Sequence, residues 1–189
     1  MTIDHHGSLD EAVFRAINQN CGRLVDAIAV MLSARWFGMV AGVAIVGAIA
    51  IVTRHRRLGF LIAFAVALVL SDLVGARALR PLLERMRPCF ALPTGTIRWL
   101  APASDVGSLP SLHASNFFAM GFVAWVADRR IGLAALGVAA AVALSRVYVG
   151  VHWPTDVAAG AIWGALCAYA AIAVANRAIA QRRRSAPEP

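Results

Sequence analysis

Long apolar runs separated by short polar stretches dominate the chain, and run length sets the elements they predict. A membrane span takes about 20 apolar residues. Five runs approach that length: 36–53, 58–79, 111–127, 131–148 and 157–179. The run 24–32 is apolar but short, flanked by Arg23, Asp26 and Arg35. It reads as an interfacial piece or the foot of the first span, and is the one candidate for a sixth. Ahead of it, Ser8-Leu9-Asp10-Glu11 has the pattern of a capping box, with Ser at the N-cap and Glu at N3. Leu9, Val13, Phe14 and Ile17 then recur at helical spacing. This segment is too polar to span and predicts a short helix lying in the membrane interface. The predicted fold class is all-α: a polytopic transmembrane helix bundle of five spans, or six with 24–32, preceded by an N-terminal interfacial amphipathic helix. Residues 1–35 would hold the interfacial helices, 36–181 the transmembrane domain with a long loop at 80–110, and 182–189 a basic tail.

Composition supports this. Of 189 residues, 60% are hydrophobic and 15% charged, where a soluble domain runs near 45–50% and 25%. A cytosolic globule, a disordered chain and a collagen-like fibre are excluded. The 18 basic residues are all Arg and outnumber 10 acidic ones. They fall mostly between apolar runs, which argues for topogenic anchors and against nucleic-acid binding. The segments 54–57, 128–130 and 182–184 are basic, and alternation of five spans puts all three on one face. The positive-inside rule makes that face cytoplasmic and leaves the N-terminus and the loop 80–110 outside. Trp36, Trp99 and Trp153 then fall at the outer interface, as an aromatic belt would. Gly and Ala within the spans allow close helix approach. Cys21, Cys89 and Cys167 make no CxxC pair and no metal spacing; Cys167 is expected to pack in its span, and Cys21 and Cys89 could meet on the outer side, though free thiols are the first expectation. No signal peptide is expected, because Asp4, Asp10 and Glu11 make the start acidic.

Three patches on the outer side could carry chemistry. The first runs from Arg80 to Pro88, with Pro81 suited to the first position of a short helix. If that stretch is helical, Arg80 and Arg87 share a face about 10 Å apart. Two guanidiniums so placed can clamp phosphate oxygens, or can simply anchor the end of a span. The second is Pro110-Ser111-Leu112-His113 at the start of the third span. Free N–H groups at a helix start bind anions, Ser111 can cap or donate its hydroxyl, and His113 stands beside them. The third is Ser145-Arg146, then His152, then Pro154-Thr-Asp156. His152 and Asp156 are four apart, so one helical turn can join them. A carboxylate on one imidazole nitrogen fixes the tautomer and frees the other nitrogen as a nucleophile; the plainer alternative is a pair that caps the helix.

Together these read Arg-x6-Arg-Pro, Pro-Ser-x-His and Ser-Arg-x5-His-x3-Asp, in that order. The pattern resembles that of the type 2 phosphatidic acid phosphatase (PAP2) superfamily: Lys-x6-Arg-Pro, Pro-Ser-Gly-His and Ser-Arg-x5-His-x3-Asp. The chain departs from it in Arg80, where Lys is usual, and in Leu112, where Gly is usual. The resemblance implies that His152 attacks phosphorus to give a phosphohistidine, that Asp156 orients it, and that His113 protonates the leaving oxygen and later activates water. It implies that Arg80, Arg87, Ser111, the Leu112 amide and Arg146 hold the phosphoryl oxygens, with no metal and no other cofactor. Leu112 is expected to keep the amide and either to narrow the pocket or to favour a particular head group.

The implied activity is that of a membrane lipid phosphatase. The Leu-Asp…Phe…Ile-Asn stretch near 9–18 is similar to small bacterial polyprenyl-pyrophosphate phosphatases. Undecaprenyl pyrophosphate is the first substrate expected; phosphatidylglycerol phosphate, phosphatidic acid and lipid A phosphate follow. A bacterial inner membrane, with the site facing outward, follows from the same resemblance. A head-group phosphotransferase and a non-catalytic lipid-binding protein are the alternatives. The partners expected are the lipid substrate and the bilayer, with the oligomeric state left open. Asp72, inside the second span, is expected to pair with Arg77 or a polar neighbour helix rather than to react. His5, His6 and His55 are expected to be solvated.

Overall fold

A computed structural model describes residues 7–54, 57–105 and 107–184. His5, His6 and His55, parts of the basic segment 54–57 and the end of the basic tail lie outside the described residues. In chain order the helices are α1 (Ser8–Ile17), α2 (Arg23–Ser33), α3 (Arg35–Val52), α4 (Arg57–Val69), a π-helical segment (Leu70–Leu79), α5 (Arg80–Leu83), α6 (Pro88–Ala91), α7 (Leu112–Ala127), α8 (Arg129–Tyr148) and α9 (Pro154–Arg184). The described residues contain no strand.

Four stretches are long and apolar enough to cross a membrane: Arg35–Val52, Leu58–Ala91, Arg129–Tyr148 and Pro154–Ala178. A fifth apolar helix, Leu112–Ala127, is shorter. The protein is a multi-pass membrane bundle whose five apolar segments match the five predicted runs. Helix α7 lies at its centre, enclosed by α3, α4, α8 and α9. Phe117, Met120, Val123 and Ala124 of α7 form the core with Ile49, Phe64, Val142 and Ala168. Large apolar side chains such as Val43, Ile51, Ile162 and Leu166 point outward, as they do where the solvent is lipid. Helix α2, at 11 residues, rises only about 16 Å and is no sixth span.

Helix α9 meets α7 through Gly160 and Gly164. A Cβ at Gly160 would stand 2.5 Å from the Ser111 carbonyl oxygen, and one at Gly164 would overlap that of Ser115. Small residues four apart let the two backbones touch, as is common between membrane helices. The approach also brings the starts of α7 and α9 together, where the Ser111 amide donates to the Asp156 carbonyl at 3.0 Å.

The N-terminal helix departs from its predicted orientation. Its start has Gly7 in the N-cap position without a side-chain cap, and the Glu11 carboxylate accepts from Arg15 at 2.8 Å. Phe14 is buried against Trp153, and Ile17 packs beside it, but Leu9 and Val13 are exposed. Asp10 and Asn18 share the buried face instead. Asn18 donates to the carbonyls of Arg98 (2.8 Å) and Tyr148 (2.7 Å) and accepts from the Arg98 amide (2.8 Å). It thereby staples α1, the long loop and the end of α8. Asp26 of α2 reinforces the joint, accepting from Arg98 at 2.7 Å and from the Tyr148 hydroxyl at 2.6 Å. Trp153 is fully buried under α1 rather than at the interface; Trp36 and Trp99 are exposed. All three cysteines are free.

Candidate active site

Three breaks in helical structure build the site: the chain after α5, the start of α7, and the turn between α8 and α9. Helix α5 ends at Leu83 because Glu84 takes a left-handed conformation, φ 39°. Arg87 therefore lies in extended backbone, and the helical face expected to join it to Arg80 does not exist. The two side chains still converge, on the far loop. Arg87 donates to the Gly107 carbonyl at 3.2 Å, and the Arg80 side chain lies against the Gly107 backbone while its Nε donates to the Pro110 carbonyl at 3.2 Å. The turn at Gly150 needs glycine twice over: φ is 84°, and a Cβ there would overlap the Arg98 carbonyl oxygen.

That turn delivers His152, which is buried and bonded at both ring nitrogens. Nδ1 lies 3.3 Å from Asp156 Oδ2, and Nε2 lies 2.9 Å from Arg87 Nη1. A guanidinium can only donate, so Nε2 accepts and the ring proton sits on Nδ1, toward the carboxylate. Burial, first of all, holds the imidazole well below its ordinary pKa, with Arg87 and Arg146 adding to the effect and Asp156 opposing it. The ring is thus neutral, and its one lone pair points toward the arginines.

Around that lone pair gather like charges. Arg87 also donates to the Val151 carbonyl at 2.9 Å. Arg146, buried near the end of α8, donates to the carbonyl and hydroxyl of Ser33. Arg80, Arg87, Arg146 and Arg35 all act electrostatically on the His113 ring at the start of α7. Among the described residues no carboxylate lies within ion-pair distance of Arg80, Arg87 or Arg146. Nε of Arg87, Nε of Arg146 and the Ser111 hydroxyl are buried without a hydrogen-bond partner. Ser111 occupies the N-cap position of α7 yet makes no cap bond, so its hydroxyl remains available. Asp156 acts on Arg87 from across the imidazole without pairing with it, and gathered cations so weakly compensated are costly in low dielectric.

The PAP2 superfamily model matches residues 57–180, more than half of the chain. The chain belongs to the PAP2 superfamily. It is 37% identical over 107 residues to the Bacitracin transport permease protein BcrC of Bacillus licheniformis, covering 57% of this chain and 49% of the relative; it thus spans about half that relative's length. It is 29% identical over 167 residues to the Undecaprenyl-diphosphatase of Sulfolobus acidocaldarius, covering 86% of this chain and 76% of the relative. Over 135 residues it is 28% identical to the Lipid A 4'-phosphatase of Bacteroides thetaiotaomicron (69% and 60%). Its fold is similar to that of Aquifex aeolicus LpxE, with a TM-score of 0.73, 22% identity and coverage of 91% of this chain and 99% of that one.

As a PAP2 member the chain carries two departures, and the structure shows where each leads. Leu112 packs its side chain into the hollow above Gly75 of the π-helical segment. Arg80 spends its Nε on a backbone carbonyl and leaves its terminal nitrogens for other partners. Asp72 is exposed at the rim of a polar cluster and accepts from Asn116 of α7 at 3.2 Å, the neighbour-helix pairing expected of it. The Ser71 hydroxyl beside it meets Ser115 (2.5 Å) and Asn116 (2.6 Å).

Several residues at the site were not anticipated. The Ser108 hydroxyl donates to Asp156 Oδ2, which also accepts from the Trp153 amide at 2.9 Å. Arg85 donates to Asp156 Oδ1 at 2.6 Å and to Asp10 Oδ2 at 2.5 Å. The spacing Arg85-x-Arg87 was a usable signal: in extended chain, residues two apart face the same way. Nothing in the spacing marks Ser33 or Ser108, and Asp10, though part of the Leu-Asp…Phe…Ile-Asn stretch, carries no signal that it reaches Arg85.

Proposed function

We propose that this protein is an integral membrane lipid phosphatase acting through a phosphohistidine, with undecaprenyl pyrophosphate as first substrate. One observation carries the reading: a neutral His152, its proton turned to Asp156, presents a lone pair to arginines that, among the described residues, have no carboxylate within ion-pair distance. On substrate binding, Arg87 moves from Nε2 to the phosphoryl oxygens, joined by Arg80, Arg146, Ser111 and the Leu112 amide. The Nε2 lone pair then forms a bond to phosphorus. The bond to the bridging oxygen breaks, its electron pair stays with that oxygen, and His113 supplies the proton. Asp156 stabilises the positive imidazole. In the second half His113 takes a proton from water, the oxygen attacks phosphorus, and the P–N bond electrons return to Nε2 as inorganic phosphate leaves. Such chemistry is positioning and charge stabilisation, which fixed guanidiniums supply. No metal is expected to take part, and EDTA is expected to leave turnover unchanged.

The location supports a lipid substrate. The site lies where α7 and α9 begin and α8 ends, so a head group can enter while its chain stays in the bilayer. Asp128-Arg129-Arg130 sits at the opposite end of α7 and α8. The positive-inside rule favours that turn in the cytoplasm and the site outside; the family resemblance favours a bacterial inner membrane. The relative named Undecaprenyl-diphosphatase supports the pyrophosphate; the one named Lipid A 4'-phosphatase supports a phosphomonoester lipid as the second candidate.

The test is phosphate release by the purified full chain from undecaprenyl pyrophosphate, phosphatidylglycerol phosphate, phosphatidic acid and lipid A. His152→Ala is expected to abolish release while leaving the fold intact. Retained release would overturn the nucleophile assignment, and strict dependence on added Mg²⁺ would overturn the metal-free scheme.

A further inference from the structure

Helix α1 lies outside the three motifs, yet one of its charges reaches the dyad. Asp10 is buried, as are Arg85, Asp156 and His152. Asp10 Oδ2 accepts from Arg85 Nη2 at 2.5 Å and from the Thr155 hydroxyl at 2.6 Å, and Oδ1 accepts from the Thr155 amide at 3.0 Å. Arg85 Nη1 meets Asp156 Oδ1 at 2.6 Å and Thr155 Oγ1 at 2.6 Å. Asp156 Oδ2 faces His152. A continuous chain therefore runs from Asp10 through Arg85 and Asp156 to the imidazole.

We infer that Asp10 is a positioning residue for the reaction, acting through Arg85 on the carboxylate that orients His152. The inference rests on the phosphatase reading given above. Arg85 Nε has no partner, so the two carboxylates and Thr155 alone hold its guanidinium, beside the Trp153 ring it overlies at 5.6 Å. With the Asp10 charge present, Arg85 is shared between two anions. Without it, the whole cation falls on Asp156 and draws charge from the oxygen facing His152. The positive imidazole formed during phosphoryl transfer then loses support. Asp10 touches no group placed around the phosphoryl oxygens, so binding is spared and turnover is not.

A competing role for Asp10 is purely structural, as a cap for the first turn of α9. Asp10→Asn separates the two, because the amide oxygen still accepts from the Thr155 amide while the negative charge facing Arg85 is gone. On undecaprenyl pyrophosphate, with the full chain in lipid bilayers, Asp10→Asn is expected to lower kcat about 10-fold with KM within about twofold, the scale of a misaligned reacting group. Its Tm is expected to match wild type, and Asp10→Glu, which keeps the charge, to recover part of the loss. The double variant Asp10→Asn/Arg85→Gln is expected to be no slower than Arg85→Gln alone, since coupled residues are not additive.

Wild-type kcat in Asp10→Asn, a loss that multiplies fully onto that of Arg85→Gln, or a loss that tracks Tm would each overturn the inference. If Asp10→Asn does not accumulate, Asp10→Ser, which keeps an oxygen toward Thr155 without the charge, carries the test: lowered kcat at unchanged KM supports the inference, and wild-type kcat refutes it. His152→Ala run alongside separates the two levels. Activity in His152→Ala sinks the phosphatase scheme; a dead His152→Ala with an unaffected Asp10→Asn sinks only the role of Asp10. If the wild type turns over none of the lipids, orthovanadate titration replaces turnover, with binding expected to weaken about 10-fold in Asp10→Asn because vanadate mimics the five-coordinate transition state. Equal binding refutes the inference, and no binding by the wild type overturns both readings.

Discussion

The contact between Gly75 and Leu112 yields a prediction whose sign depends on background. Gly75 is buried in the π-helical segment, and a Cβ there would stand 2.5 Å from Leu112 Cδ2 and 3.5 Å from Trp163 Nε1. Carbon atoms prefer separations of about 3.5–4.0 Å, so the Leu112 methyl must retreat by about 1 Å. Leu112 is 9% exposed and sits between Ser111 and His113, so little room exists for the retreat. Overpacking of this kind costs about 1–3 kcal/mol, offset by up to about 1 kcal/mol of better helix propensity for Ala over Gly. Gly75→Ala alone is therefore expected to destabilise by about 1 kcal/mol. Leu112→Ala alone opens a cavity and costs about 2–5 kcal/mol. In the Leu112→Ala background the new methyl meets no clash and fills part of the cavity, so Gly75→Ala is expected to stabilise by about 1 kcal/mol. The coupling is then about 2 kcal/mol, within the range for residues in contact. Equilibrium unfolding of the four proteins in mixed micelles measures it. The same sign and size for Gly75→Ala in both backgrounds would show that Leu112 does not fill the hollow above Gly75.

Two further outcomes follow from the joint over the site. Asn18→Ala removes three hydrogen bonds and strands the Tyr148 carbonyl; a loss of about 3 kcal/mol in unfolding free energy is expected, and a change under 1 kcal/mol would refute the staple. The Asp26 carboxyl is held below its ordinary value by hydrogen bonds from Arg98 first and Tyr148 second. A depressed carboxylate stabilises the fold above its unfolded pKa and loses that contribution as pH falls through the folded value. Melting temperatures are thus expected to fall more steeply below pH 4 in the wild type than in Asp26→Asn, and parallel curves would refute the pairing.

The bundle was legible because run length is a strong signal for membrane helices. All five runs became helices. The orientation of α1 was not legible, because hydrophobic periodicity assumes that apolar residues face inward. Here the inward face carries Asp10 and Asn18 beside Phe14 and Ile17, while Leu9 and Val13 face out. A helix resting on a bilayer can turn apolar residues outward without penalty and spend its inner face on polar joints. Trp153 was misplaced for the related reason that a Trp near a span end suits a belt and a core equally. Its indole N–H donates to the Met86 carbonyl at 2.9 Å, which allows full burial.

The site divides along the same line. The groups proposed to hold the phosphoryl oxygens come from short, spaced motifs, and several lie beside a local break in a helix: the left-handed Glu84 before Arg87, the N-cap Ser111, the glycine turn at 150 before His152. Groups one step behind, such as Asp10, Arg85, Ser108 and Ser33, need only reach a partner, and any segment that passes nearby can supply them. Sequence spacing cannot register such partners, and three-dimensional proximity can. Charge shows the division again. Arg85 lies between two carboxylates, whereas Arg80, Arg87 and Arg146 pair with none among the described residues. One basic residue in the loop after α5 is thus committed to the protein's own anions, and the neighbour two positions on makes its contacts with carbonyls and His152 instead.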